Sequence, residues 1–384
     1  MPAPSPDLFT HPDVRWAAEN MPLLGAAFEE LGDVFRGLRI GMCLHIEPKT
    51  AVLCVLLAHA GATVALTGSP GTTRQDIADS LAASGVLVHA DAADAAPRID
   101  EVLAVDPHIL LDNGADLTQG ILARSEISPH FLGGTEETTT GALLLRGRET
   151  TVPFPVIVIN DSYLKLLVEN RFGVGQSVVQ GFMNATNRMI PGTRATVLGY
   201  GPCGRGVAQT LRELGAQVTV VEIDPYRRIE AAMEGHRIAT TAEALPGTQL
   251  LFLATGHPDV LGADDIARLD SGVVIAGVGH RAWELDLDEL GTPLPDQGGV
   301  QTRLHDVYLQ PDGRRIVVLA GTRMINLVAG GGNPIDAMDL GLTLQARSLA
   351  AIASRRFVTE GVHPVPSGID HAVATAFAEQ LGRR

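Results

Sequence analysis

The sequence predicts an α/β protein with two doubly wound parallel-sheet domains, and two observations support this fold class. Short apolar segments alternate with segments whose apolar residues recur at three- and four-residue steps, first in residues 38–112 and again in residues 194–276. In the second stretch a glycine-rich turn, Gly199-Tyr-Gly-Pro-Cys-Gly204, follows an apolar strand and precedes a helix. This alternation is typical of a largely parallel sheet covered by helices on both faces.

The elements of the first domain follow from this periodicity. Residues 14–38 are predicted to be mostly helical, and Pro22 is expected to break or restart the helix near its beginning. Pro97 suits the first turn of a later helix. Strands are predicted at 38–44, 63–67, 85–89, 108–112 and 156–159, and helices at 49–60, 74–83 and 97–104.

Polar residues collect just after three of these strands, in segments 43–47, 67–73 and 112–116. Ligands of parallel sheets bind outside the carboxyl ends of the strands. We therefore predict that these three loops form a substrate-binding surface.

Residues 194–224 predict a dinucleotide-binding unit, because a strand at 194–198, the glycine-rich turn, a helix at 206–214 and a second strand at 217–221 with Glu222 at its end follow in order. Gly199 permits the tight turn, Gly201 lets the backbone approach a pyrophosphate, and Gly204 lets helix and strand pack closely. The pyrophosphate is expected at the helix N-terminus, where free N–H groups favour anions. Glu222 suits the ribose hydroxyls and repels a 2′-phosphate, which predicts NAD rather than NADP. The alternative is a Rossmann-like domain without a cofactor.

Composition excludes several classes of protein. The net charge of −15 argues against a nucleic-acid or anionic-membrane partner. The three cysteines, Cys43, Cys54 and Cys203, lack zinc-ligand spacing and do not suggest a disulfide framework, so we expect no metal. No segment resembles a signal peptide or reaches transmembrane length. The sequence therefore predicts a cytoplasmic protein.

Two segments near the end of the first domain leave alternatives open. The run of acids and threonines at 136–141 suits either an exposed strand edge or a hydroxyl-rich ligand loop. Residues 160–162 carry capping side chains, and on the helix that follows, Lys165 and Glu169 are four residues apart. That pair is either an ordinary surface pair or part of a site.

The second domain continues the alternation, and its polar segments again follow strand ends. Segments 255–258 and 278–280 are expected to face the cofactor. Helices are predicted at 172–189, 227–234, 263–268, 334–355 and 369–381, and strands at 249–254, 272–276 and 316–319.

Several separated motifs agree with one family. They are CLHIEPKTAVL, SPGTTRQD, LDNGADLT, EETTTG, INDSYLKLLVENRFG, GYGPCGRG, VEIDP, GVGH, INLVAGGGNP and GVHPVP. On these motifs the chain resembles the S-adenosyl-L-homocysteine hydrolases over nearly its whole length. The resemblance implies a substrate domain at 1–170, an NAD-binding Rossmann domain at 171–326 and C-terminal helices at 327–384. It also implies a homo-oligomer, either a dimer or a tetramer.

The resemblance implies a role for each matching residue. Lys165 matches the lysine beside the 3′-hydroxyl, and Glu169 matches an aspartate that hydrogen-bonds the ribose and orients that lysine. His45 and Asn113 match a histidine and an aspartate that serve proton transfer near C4′ and C5′, and His280 matches the histidine near the leaving group. The other matching positions are the substrate contacts Glu47, Lys49, Thr72, Glu137, Thr138 and Asn333, and the NAD contacts Thr138, Thr139, Thr140, Asn170, Gly199, Gly201, Cys203, Gly204, Glu222, Thr255, Gly279 and Asn326.

The chain also departs from the family pattern. Asn113 replaces an aspartate, and an amide is neither an acid nor a base. Glu169 is longer than its counterpart by one methylene, Glu47-Pro-Lys49 stands where the family has Thr-x-Glu, and Asn333 replaces a histidine near the base. The sequence stops at Arg384 without the family's tail, whose lysine and tyrosine reach the NAD of a neighbouring subunit, so NAD is expected to leave faster.

Three functions are compatible with these residues. The first is an ordinary S-adenosyl-L-homocysteine hydrolase. The second, which the departures favour, is NAD-dependent and redox-neutral chemistry on a specialised adenine-like nucleoside: 3′-oxidation, C4′ deprotonation, elimination of the 5′ substituent and ketone reduction. One form of it is 5′-dehydration to a 4′,5′-unsaturated nucleoside. The third is a non-catalytic, NAD-bound regulatory protein, against which the retention of Lys165, His45 and Glu137 argues.

Overall fold

The computed structural model describes residues 8–69, 71–94, 96–148, 150–295 and 304–382, which form two compact units. The first unit comprises Met1–Leu166 and Ile335–Arg384, and the second comprises Leu167–Pro334. Residues 327–334, predicted to join the terminal helices, belong to the second unit. There the backbone N–H of Gly332 donates to the carbonyl of Asn326 at 2.9 Å, which closes this segment onto the short helix before it.

The first unit contains a parallel sheet whose chain winds outward in both directions. The strand order β14-β6-β5-β4-β1-β2-β3 places β1 beside β4, so the switch point lies between these two strands. Within the described residues its strands are β1 (Arg39–Leu44), β2 (Thr63–Gly68), β3 (Leu87–Val88), β4 (Ile109–Asp112), β5 (Gly133–Glu136), β6 (Pro155–Val158) and β14 (Gly361–Pro364).

Helices cover this sheet and supply an aliphatic core. Leu342 and Leu349 of the long helix Ile335–Ala353, α15, belong to the same buried cluster as Leu111 of β4. Asp339 of α15 accepts hydrogen bonds from the first turn of α2, which ties the two helices together. The helices are α1 (Pro12–Glu19), α2 (Pro22–Leu31), α3 (Pro48–His59), α4 (Gln75–Ala83), α5 (Ile99–Leu103), α6 (Asp116–Leu122), α7 (Thr139–Arg146), α8 (Tyr163–Lys165), α15 (Ile335–Ala353) and α16 (Ser367–Leu381).

The second unit contains a Rossmann sheet with the strand order β12-β13-β11-β10-β7-β8-β9, whose switch point lies between β7 and β10. All its pairings are parallel except the one between β12 and β13. Its described strands are β7 (Arg194–Leu198), β8 (Gln217–Val221), β9 (Arg237–Ile238), β10 (Leu250–Leu253), β11 (Val274–Gly277), β12 (His305–Leu309) and β13 (Arg315–Leu319). Its helices are α9 (Val174–Thr186), α10 (Pro202–Glu213), α11 (Pro225–Met233), α12 (Thr241–Ala244), α13 (Ala263–Ile266) and α14 (Ile325–Val328).

The predicted fold class is confirmed, with local corrections. Pro22 is the first residue of α2 and divides the predicted N-terminal helix in two. Pro97 lies before α5 rather than in its first turn. The strands β5, β9, β12 and β14 were not predicted. Among the described residues no helix combines the length and the apolar character that crossing a membrane requires.

The helix that carries Lys165 is also not the single α-helix that the sequence predicted. After the short α8, residues Leu166–Gly173 wind as a π-helix. Hydrogen bonds in such a helix join residues five apart. The α-helical spacing that placed Lys165 and Glu169 on one face therefore does not apply.

Candidate active site

The switch point of the first sheet carries the loop residues His45 after β1 and Asn113 after β4. Nδ1 of His45 lies 2.8 Å from Oγ1 of Thr72, and that hydroxyl donates to the carbonyl of Ser69 at 2.9 Å. A hydroxyl has one proton, so Thr72 accepts from His45, and the neutral imidazole is protonated at Nδ1 with its lone pair on Nε2. The side chain of Asn113 is buried, and its Oδ1 lacks a hydrogen-bond partner among the described residues.

Lys165 and Glu137 form a buried ion pair in the first unit. Lys165 is 3% exposed, and its Nζ contacts Oε1 of Glu137. Ser162 caps the helix by accepting from the backbone N–H of Lys165 at 3.0 Å, and its hydroxyl donates to Asp370 of α16. The INDS motif thus fixes the lysine backbone, and the EETTTG motif supplies the carboxylate that neutralises its ammonium group.

Glu47 and Lys49 stand at the beginning of α3. The Glu47 carboxylate accepts from the backbone N–H groups of Lys49 at 3.1 Å and Thr50 at 3.0 Å, so it caps the helix. Nζ of Lys49 lies 2.6 Å from Oε2 of Glu47, and both side chains are buried. The sequence contains only two lysines, Lys49 and Lys165, while its other cationic side chains are arginines. Both lysines are therefore buried in segments predicted to contact substrate.

The threonines of EETTTG begin a helix. Thr138 caps α7 by accepting from the backbone N–H of Gly141 at 2.9 Å. Thr139 and Thr140 are the first residues of α7, and the hydroxyl of Thr139 accepts from the side-chain amide of Asn160. The alternative of an exposed strand edge is therefore wrong, because β5 ends before the threonines and is buried.

The three glycines of the turn in the second unit, Gly199, Gly201 and Gly204, differ in how much space surrounds them. Gly199 has a φ of +94°, and a Cβ there would lie 2.6 Å from the carbonyl of Ala254. A Cβ on Gly204 would collide with the carbonyl of Gly199. At Gly201 the nearest atom would be a guanidinium nitrogen of Arg227 at 3.6 Å, so the backbone is open to a ligand. This is the geometry that close approach of a pyrophosphate requires.

Glu222 is held by the backbone beside this turn. Its Oε2 accepts from the N–H of Tyr200 at 2.7 Å, and its Oε1 accepts from Ile223 at 2.7 Å and Asp224 at 2.9 Å. Cys203 is the second residue of α10 and is partly buried. The turn and the acid therefore form one hydrogen-bonded structure.

Thr255 follows β10 at the switch point of the second sheet, and it is held by Glu284, a residue that lies outside the sequence motifs. Oε2 of Glu284 accepts from the backbone N–H of Thr255 at 2.8 Å and from its hydroxyl at 2.6 Å. A Cβ on Gly279 would lie 2.8 Å from Oε1 of the same carboxylate. Burial raises the pKa of Glu284. Burial, together with the charge of Arg281, lowers the pKa of His280 to about 4, so His280 is neutral at pH 7.

A polar network joins three predicted site residues in the second unit. Nδ2 of Asn333 donates to Glu169 at 3.2 Å, and Oδ1 of Asn333 accepts from Nδ2 of Asn326 at 3.2 Å. Ser177, which no sequence motif indicated, bonds to both asparagines. Asn170 is buried on the π-helix. Asn333 therefore forms hydrogen bonds with Glu169, which was predicted to bind the ribose, and with Asn326, which was predicted to bind NAD.

Comparisons with known proteins place the chain in a family. A family model for "S-adenosyl-L-homocysteine hydrolase, NAD binding domain" matches residues 170–332. An "S-inosyl-L-homocysteine hydrolase" of Methanopyrus kandleri is 38% identical over 380 residues, covering 96% of this chain and 90% of the relative. The chain belongs to the S-adenosyl-L-homocysteine hydrolase family. An "Adenosylhomocysteinase" of Pyrococcus abyssi is 36% identical over 383 residues, with 96% and 90% covered. The solved structure of a dipicolinate synthase polypeptide from Bacillus halodurans has a TM-score of 0.48 and 14% identity, covering 83% of this chain and 99% of that one.

Membership of the S-adenosyl-L-homocysteine hydrolase family establishes NAD as the cofactor. The second unit fits this cofactor, because the backbone at Gly201 is open and Glu222 is preorganised by three N–H groups. Within the described residues, no group of three or more His, Cys, Asp and Glu side chains is arranged to hold a metal ion.

Proposed function

We propose that this protein is an NAD-dependent, redox-neutral hydrolase of a purine nucleoside thioether of L-homocysteine, and that the purine is a 6-oxopurine such as hypoxanthine. Family membership supports the reaction type. The names of the relatives leave two purines as candidates for the substrate base, because the Methanopyrus protein is named for an inosyl substrate and the Pyrococcus protein for an adenosyl one. An ordinary S-adenosyl-L-homocysteine hydrolase is therefore the second candidate.

The observation that carries the choice of base is the buried ion pair of Lys49 with Glu47, in the segment whose family counterpart contacts the base. An ammonium group donates hydrogen bonds and cannot accept them. Position 6 of hypoxanthine is a carbonyl oxygen, which accepts, whereas position 6 of adenine is an amino group, which donates. A site built to pair with one polar edge discriminates strongly against the other. Lys49 therefore favours the oxopurine.

The reaction chemistry is assigned to the two buried pairs of the first unit. Bound NAD supplies oxidation of the 3′-hydroxyl and the later reduction of the ketone. Lys165, paired with Glu137, stabilises the 3′-oxygen as the hydroxyl proton passes to the Glu137 carboxylate. Nε2 of His45 accepts a proton from the substrate, because its Nδ1 is committed to Thr72.

Two further residues act by hydrogen bonding rather than by proton transfer. Asn113 presents an amide oxygen to a substrate hydroxyl or to water. His280 has a lowered pKa and is neutral, so it donates a hydrogen bond to the leaving group without carrying a charge. The departure at Asn113 first suggested dehydration of a 5′-hydroxyl. The relatives named above are hydrolases and give that alternative no support.

The test compares kcat/KM for S-inosyl- and S-adenosyl-L-homocysteine, with released homocysteine trapped as its thiol. We expect the inosyl thioether to be preferred. Lys49→Met should lower kcat/KM for the inosyl substrate by roughly 10²-fold, since a hydrogen bond from a charged donor contributes about 1.5–3 kcal/mol. The adenosyl substrate should lose much less.

A matched control is Arg36→Met, which removes an exposed cation of the same unit. If the wild type prefers the adenosyl thioether and Lys49→Met does not change that preference, the protein is an ordinary S-adenosyl-L-homocysteine hydrolase. Formation of a 4′,5′-unsaturated nucleoside without thiol release would instead identify a dehydratase.

A further inference from the structure

Two buried carboxylates stand side by side at the carboxyl edge of the first sheet. Asp112 ends β4 and Glu136 ends β5, and the two residues are register partners in the parallel pairing of these strands. Both are fully buried, with an exposed fraction of 0%. Neither was predicted individually as a site residue, although Asp112 begins the predicted substrate loop 112–116 and each directly precedes a predicted site residue, Asn113 or Glu137.

The Glu136 carboxylate joins the loops that follow these two strands. Its Oε2 accepts from the N–H of Ala115 at 2.9 Å, and its Oε1 accepts from the N–H of Gly114 at 3.0 Å. On the side of its own loop, Oε1 also accepts from the N–H of Thr138 at 2.7 Å and from its hydroxyl at 2.6 Å. One side chain thus holds the loop of Asn113 and the loop of Glu137 together.

The surrounding backbone is shaped around this carboxylate. Gly114 and Ala115 have φ values of +96° and +65°, which turn their N–H groups toward Glu136. A left-handed conformation is unusual for alanine, so it persists because these hydrogen bonds over-determine it. On the other side, a Cβ added to Gly141 would collide with the Glu136 carboxylate. The glycine of EETTTG therefore provides the space that Glu136 occupies.

Asp112 complements this arrangement without bridging the loops. Its Oδ1 accepts from the N–H of Asn113 at 3.0 Å and of Leu117 at 3.2 Å, and its Oδ2 accepts from Thr118 at 2.7 Å. These donors lie in its own loop and in the first turn of α6. Asp112 fixes the loop of Asn113 to α6, and Glu136 fixes that loop to its neighbour.

We propose that Glu136 is a positioning residue for the reaction: it sets the placement of Asn113 relative to Glu137 and, through the Glu137 carboxylate, of the Lys165 ammonium. The proposal rests on the proposed function in one respect, since it takes these three side chains as the ones that contact substrate. Glu136 itself is enclosed by backbone and does not reach the substrate.

The first test measures the placement of Lys165 without using activity. Because the sequence has two lysines, reductive methylation with ¹³C-formaldehyde labels Lys49, Lys165 and the α-amino group, and their methyl signals and peptide masses are separable. Glu136→Gln places an amide NH₂ among N–H donors, which breaks the bridge. We expect the labelling rate of Lys165 to rise several-fold and that of Lys49, whose partner Glu47 lies in another loop, to stay unchanged.

The second test measures turnover. Glu136→Gln should lower kcat by about 10²-fold, the usual consequence of misplacing reacting groups by about 1 Å, while denaturation should still release NAD because the glycine turn lies in the second unit. Glu126→Gln, the same change at an exposed position, is the control and should match the wild type. If Glu136→Gln does not fold, Glu136→Asp keeps the carboxyl group but shortens its reach, and it should show the same changes at smaller size.

The outcomes distinguish failure of the positioning role of Glu136 from failure of the proposed function. Unchanged labelling of Lys165 and unchanged kcat in a folded Glu136 variant overturn the positioning role. Absence of wild-type activity on any homocysteine thioether defeats the proposed function, while the lysine labelling still decides whether Glu136 positions the ion pair.

Discussion

Thr72 donates its only hydroxyl proton to the carbonyl of Ser69 and accepts a hydrogen bond from Nδ1 of His45 at 2.8 Å. This arrangement selects the tautomer whose basic nitrogen is Nε2. Thr72→Val removes the acceptor and should lower kcat by roughly 10²-fold, as expected when a general base loses its orientation. The pH–rate profile should also shift, and this shift separates loss of orientation from general destabilisation. Thr72→Ser keeps the hydroxyl and should lose much less, so equal losses in both variants would contradict the assignment.

Lys165 should be irreplaceable even by another cation. The planar guanidinium of arginine is larger than an ammonium group and does not fit the buried position beside Glu137, so Lys165→Arg as well as Lys165→Ala should abolish turnover. Nucleoside-dependent NADH absorbance should vanish in both variants. Denaturation should still release NAD, because the glycine turn lies in the second unit. Wild-type activity in either variant removes Lys165 from the mechanism.

Glu222 should govern affinity for NAD. Glu222→Ala removes a carboxylate that accepts from three backbone N–H groups and suits the ribose hydroxyls. We expect the Kd for NAD, measured by calorimetry, to rise about 10- to 100-fold, which corresponds to one charged hydrogen bond. Glu213→Ala, at an exposed position on α10, is the control. Tighter binding of NADP than of NAD by the wild type would refute the ribose role.

The buried carboxylates of the first unit should make its stability depend on pH. Burial, then the charge of Asp112, raises the pKa of Glu136 from 4.5 to about 8, and burial raises the pKa of Asp112 from 3.8 to about 6. Between the unfolded and folded values the folded state binds more protons, so its unfolding free energy falls as pH rises. Urea denaturation from pH 5 to pH 9 should show this decline. Glu136→Gln should make the unfolding free energy fall less steeply with pH. An equal slope in that variant would show that Glu136 does not cause the pH dependence.

Assembly into a homo-oligomer stays a prediction from the family resemblance. Light scattering at micromolar concentration should give a mass of two or four chains. A mass equal to one chain, 40.5 kDa, would refute it.

The dinucleotide-binding unit was predictable because its signals are local. The strand predicted at 194–198 has the same bounds in the structure, and Gly199 adopts the positive φ that the turn requires. The helix begins earlier than predicted, at Pro202, because proline is favoured at the first helical position. Each of these features depends on neighbours in sequence.

Other parts of the site depend on contacts that sequence spacing does not encode. Glu284 reaches Thr255 across 29 positions, and Ser177 reaches Asn333 across 156. Apolar periodicity did not distinguish the π-helix at Leu166–Gly173 from an α-helix, because the two differ in their backbone hydrogen bonds. The role of Glu136 was not predicted, because it consists of hydrogen bonds from backbone N–H groups of two loops, and sequence motifs do not show such bonds.

The first unit is built from two stretches of chain, and translation produces the whole of the second unit between them. Until residues 361–364 leave the ribosome, β6 lacks β14, and before α15 emerges the faces of β4 and β5 lack their cover. The second unit, being continuous, is complete earlier and is able to fold during synthesis. An unpaired strand edge is a site of association between chains. Expression conditions that slow elongation, or truncations before residue 361, should therefore favour aggregation through the β6 edge.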